Sequence, residues 1–157
     1  MVGTMSHPAE GETRRIADQL RRAYDGPAWH GPCLRELLDD ITPEQAARRP
    51  VASAHSIQEL VLHITAWMRI ARERLTATEV REVKPEENWT PSRPSWPETR
   101  SALESEQRAL EQAILAFPAH RLHEQAPATE PQTFYVLLHG AVQHNLYHAG
   151  QIALLKK

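Results

Sequence analysis

Residues 133–155 read TFYVLLHGAVQHNLYHAGQIALL. Leu137, Ala141, His144, His148, Ile152 and Leu155 recur there at spacings of three and four, the period of one helical face. The stretch therefore predicts a helix from Thr133 to about Leu155, with Asn145 and Lys156 off the apolar stripe. His144 and His148 are four residues apart. That separation turns about 400°, so both imidazoles share a face, roughly 6 Å apart along the axis. The face is the apolar one, and a buried ring nitrogen without a partner costs about 1–3 kcal/mol. A divalent cation satisfies two such rings together and holds them neutral. The same spacing serves the HExxH metalloproteases. On spacing alone, two core or partly exposed histidines with local hydrogen bonds are the favoured reading over ligation.

A third histidine lies upstream. Ser56-Ile57-Gln58-Glu59 is a capping box, serine with glutamate three residues on. Ile57, Leu60, Val61, Ile64, Met68, Ala71 and Leu75 follow at helical period. His63 stands beside that stripe, among Leu60, Val61, Ile64 and Trp67. Alone it reads as a satisfied core histidine. With His144 and His148 it makes three inward rings, and bundle interiors build metal sites from facing helices. Three nitrogen ligands leave coordination positions for water or substrate, the pattern of catalytic sites. A metal so held acidifies its water, polarises a substrate oxygen or holds a thiolate. Imidazole suits zinc, nickel, iron or copper.

The other elements are also helical. Ile16, Leu20 and Tyr24 mark a helix from about Thr13, closed by Asp25-Gly26-Pro27. Gly31-Pro32 precedes a short piece, Cys33 to Asp40, and Thr42-Pro43-Glu44 opens another turn ending near Pro50. Thr76 to Pro94 is polar and without periodicity, a connection long enough to border a functional site. Ser95-Trp96-Pro97-Glu98 caps a further helix carrying Leu103, Leu110, Ile114 and Phe117, which Pro118 ends. Ala119 to Pro131 reads as a polar linker. Strand signals are scattered. The expectation is an all-α fold, a four-helix bundle with long connections over residues 13–157, behind a flexible tail at 1–12.

The chain has 157 residues and a formal net charge of -2. One domain follows, and neither a basic patch nor the charge balance favours nucleic acid. No apolar run reaches the length of a signal peptide core or a membrane span. The lone cysteine, Cys33, has no partner for a disulfide, so a cytoplasmic location is expected. There is no GxSxG, P-loop, GxGxxG or HExxH.

The segment His144-Asn145-Leu146-Tyr147-His148-Ala149-Gly150-Gln151-Ile152 closely resembles the last-helix signature of the DinB-like (YfiT-like) superfamily. Ala54 to Trp67, AHSIQELVLHITAW, resembles that family's second helix, in matching order and separation. The resemblance covers nearly the whole chain from about Thr13. It implies a four-helix bundle of up-down-down-up type whose three-histidine metal site maps onto His63, His144 and His148. It further implies zinc or nickel, with iron or manganese as alternatives, and frequent homodimers. Relatives include transferases and isomerases using low-molecular-weight thiols, and others are described as hydrolases. A metal-dependent enzyme acting on a small molecule is therefore expected. The alternative is a non-catalytic metal-binding or stress-related interaction bundle, because no general acid, base or nucleophile is identifiable.

Three residues are candidates for a catalytic part: Gln151, near the histidine face; Tyr147, by its hydroxyl; and His30, at a helix break where it could line the pocket mouth. Each has a plainer reading as a rim, packing or loop residue. His139 reads as a surface or outer residue, His55 as part of the loop before the second helix, and His120 and His123 as solvated. Trp67 and Trp96 read as packing residues. Glu73, ten residues past His63, is not a natural fourth ligand, and nothing marks a base beside Cys33.

Overall fold

Thr42, Ser56 and Ser95 cap the helices they were expected to cap, and Thr133 caps the last one. In the computed structural model, which describes residues 8–91 and 93–157, Thr42, Ser56, Ser95 and Thr133 each accept a hydrogen bond from the backbone N–H three residues on. Each thereby satisfies one of the donors a helix leaves open at its start. The helices are α1 (Pro8–Asp25), α2 (Leu34–Leu38), α3 (Pro43–Ala47), α4 (Ile57–Arg74), α5 (Pro85–Asn88), α6 (Trp96–Ala116) and α7 (Phe134–Leu155). A 3₁₀ turn covers Ala119–His123. Among the described residues there is no strand, only one isolated bridge between Gln125 and Thr133.

Two boundaries differ from the sequence expectation. Residues 1–7 of the expected tail lie outside the described residues, while α1 begins at Pro8, ahead of Thr13. The apolar stripe starts only at Ile16, so hydrophobic period could not reveal the earlier turns. The polar 119–131 linker is not detached either: Leu122, Ala126 and Ala128 are buried.

The four long helices enclose one core. α4 packs on α6 and α7, and α1 packs on the same two from the other side. Ile16 and Leu20 of α1, Ile64 and Met68 of α4, Leu103, Leu110 and Ile114 of α6, and Leu138 and Ile152 of α7 fill it. Pairs of contacts set the register. Gln58 bonds Thr99 and Arg72 bonds Glu106, so α4 and α6 run in the same direction. His63 meets His148 while Met68 meets Asn145, so α4 and α7 run opposed. Positions half-way along both helices are thus brought face to face. Gly26 closes α1 at φ 74°, a left-handed conformation open to glycine at little cost. No described helix is long and apolar enough to cross a membrane.

Candidate metal centre

His63 sits in the second turn of α4, and His144 and His148 lie on consecutive turns of α7. The opposed register puts the three rings together. His144 Nε2 stands 3.1 Å from His63 Nε2 and 3.1 Å from His148 Nε2. All three donor atoms lie within 4.8 Å of one another. His63 and His148 are buried, and His144 is partly exposed.

The far nitrogens explain what the near ones can do. His63 Nδ1–H donates to the Asn88 backbone carbonyl at 2.6 Å. His148 Nδ1–H donates to Gln151 Oε1, also at 2.6 Å. Each carbonyl oxygen only accepts, so in the neutral ring the proton sits on Nδ1 and the Nε2 lone pair faces inward. His144 Nε2 can donate to one of these lone pairs, never to both. At least one 3.1 Å contact in the trio is therefore left without a proton. A shared cation resolves this. Tetrahedral nitrogens about 2.0–2.1 Å from one ion lie about 3.3 Å apart, close to the two 3.1 Å spacings from His144. Tying the second ring nitrogen to a carbonyl is also how metal-bound histidines are oriented.

Electrostatics agree. Burial, reinforced by His148 and His63, pushes His144 down to about 3. Burial also lowers His63, against the opposing pull of the Asn88 carbonyl, and it lowers His148 against that of Gln151. All three are neutral at neutral pH, the form that ligates.

The long connection before α6 supplies the walls. Trp89 stacks on His63 with centroids 3.9 Å apart, and His55 stacks on the opposite face of Trp89 at 3.5 Å. Asn88 Oδ1 accepts from the Trp67 indole N–H at 2.8 Å, which fixes α5 against α4. Two clefts reach the trio. One, about 570 Å³, is lined by His148, Gln151, Tyr147, His55 and Trp89. The other, about 180 Å³, runs between α4 and α7 from His144 to Arg74.

Several expectations need correction. Gln151 lines the larger cleft, and its carbonyl is spent on His148 Nδ1. Tyr147 is exposed and stands at the rim of the larger cleft. His30 lines a different cavity, with Gln19, Arg22 and Leu146, because the break after α1 carries it to another part of the surface. Asn145, expected off the apolar stripe, is buried, with Nδ2 on Met68 Sδ and Oδ1 unpartnered. The stripe was drawn too narrow: α7 is covered on more than one side. His139 remains an outer residue, 3.4 Å from Glu12. Cys33 is buried at the start of α2 and burial pushes its thiol up, away from a reactive thiolate. The sequence reading missed Asn88, Trp89 and the stacking of His55. Its one available signal was the length of the 76–94 connection.

No curated protein matches the chain. The family model of the DinB superfamily matches residues 31–152, which takes in all three histidines. The match covers well over half of the sequence, and the chain belongs to the DinB superfamily.

Proposed function

We propose that this protein binds one divalent metal ion through His63, His144 and His148 and uses it as an enzyme on a small molecule. The convergence of three Nε2 atoms, two of them aimed by carbonyl acceptors on their far nitrogens, carries the reading. When bound, the ion would supply Lewis acidity to an oxygen or sulfur of the substrate. The chain's own residues do the rest. Asn88 and Gln151 hold two imidazoles in one tautomer. Trp89 covers the outer face of His63 and excludes water from it. The two clefts give a small molecule access to His144 and His148, which a purely structural site would not need.

The reaction class we propose is thiol-dependent transfer or hydrolysis, with zinc or nickel as the metal and a low-molecular-weight thiol as co-substrate. A cytoplasmic homodimer belongs to the same proposal. Elemental analysis of the purified protein tests the first step. About one equivalent of metal is expected, and none in a variant with all three histidines changed to alanine. Equal metal content in both proteins would overturn the site. Metal-dependent turnover of an activated ester or thiol acceptor, lost in His144→Ala, is the expected outcome for the second step. A fully metal-loaded protein inert toward both substrate types would return the non-catalytic bundle to first place.

A further inference from the structure

We infer that the cleft between α4 and α7 is a binding site for a small organic carboxylate, with Arg74 as its anchor. The inference rests on the enzyme reading for its purpose, since it names the substrate class of that site, but not for its physics. Trp67, Met68 and Ala71 form one wall of the cleft, and Leu137, Gly140 and Ala141 the other. His144 stands at one end and Arg74, the last residue of α4, at the other.

Arg74 differs from the arginines around it. Arg69 pairs with Glu73, Arg72 with Glu106, and Arg81 with Glu73 and Glu87. Arg74 has no carboxylate within ion-pair distance among the described residues. Its guanidinium lies over the Trp67 ring at 5.9 Å, partly buried. Burial lowers its affinity for a proton, and the Arg81 cation lowers it further. A desolvated guanidinium facing an apolar cleft, with its five donors unmatched by any anion, is the complement of a planar carboxylate.

The cleft's size limits the ligand. A cavity of about 150 Å³ holds benzene, and this one offers about 180 Å³. The ligand is therefore a single ring or short chain, its carboxylate on Arg74 and its far end beside His144. Trp67 lines the path, its ring centroid 6.0 Å from that of His144.

Calorimetric titration of metal-depleted protein with benzoate, butyrate and their neutral amides tests this. At least one acid should bind tenfold or more tightly than its amide. Arg74→Gln should remove that preference, and Arg74→Lys should keep part of it. Acid and amide binding alike, or neither binding, would overturn the inference, as would a preference that survives in Arg74→Gln. Should Arg74→Gln fail to fold, the acid-to-amide ratio on the unaltered chain and the Arg74→Lys result decide. Because metal is absent throughout, failure here is distinct from failure of the metal site. Carboxylate binding that needs added metal and ignores Arg74 would support that site and overturn this inference.

Discussion

At the scale of single residues, the site depends on side chains that touch no reacting atom. Gln151 holds the proton of His148 on Nδ1. Losing such a partner weakens metal binding about 10–100-fold in comparable sites. Gln151→Ala should therefore lower metal affinity by about that factor in a chelator competition while leaving the helical circular dichroism unchanged. An unchanged affinity would mean that packing alone orients the ring. The histidines also predict a pH dependence. Their folded values lie below the unfolded value of about 6.5, so the unfolded chain binds more protons between the two. Stability of the metal-free protein is complete above about 6.5 and falls as pH drops through the window below it, which for His144 extends to about 3. The slope is at most about 1.4 kcal/mol per pH unit per histidine. Urea midpoints at pH 7.5 and 5.5 should differ in that sense, and less so in His144→Leu.

At the scale of the element, α7 carries two glycines that no close contact within the chain requires. It contains Gly140 and Gly150, residues that weaken a helix interior by about 0.8–1 kcal/mol each against alanine. Gly150 is exposed, and a Cβ built there meets nothing within 4 Å. Gly150→Ala should accordingly stabilise the fold by about 0.5–1 kcal/mol, read as a raised urea midpoint with an unchanged slope. A loss of stability would point to a neighbour of Gly150 absent from the isolated chain, a second protomer being the first to test. The helix starts were legible because a capping box is local: Ser56 with Glu59, and Ser95 with Glu98, are read within four residues. The 3₁₀ turn after α6 was not, because Leu122 is buried where the turn packs on α7 and on α1, the latter far away in sequence.

At the scale of the whole molecule, the three-histidine cluster joins the two helices that oppose each other in the core. A ligand that binds only the folded state adds RT ln(1 + [L]/Kd), about 2.7 kcal/mol at a hundredfold excess over Kd. For a domain of this length that raises Tm by roughly 5–10 °C. Thermal unfolding with and without zinc should show such a shift, and a chelator should reverse it. The variant with all three histidines changed to alanine should show none, and an equal shift there would place the metal elsewhere on the chain.

Much of this protein was written in short-range pattern. The apolar stripes of residues 56–75 and 133–155, the capping boxes and the four-residue step from His144 to His148 all act within one or two turns. Such features determine the helices, and which way a histidine pair faces, without reference to the rest of the chain. What tertiary packing alone decided is the sliding of α4 along α7 that places His63 Nε2 3.1 Å from His144 Nε2. It also decided which carbonyl reaches His63 from a connection 25 residues away, and that Arg74, unlike its neighbours, meets no carboxylate among the described residues. Those outcomes depend on how side chains of separate helices interlock across the core, and no spacing within a single helix encodes that.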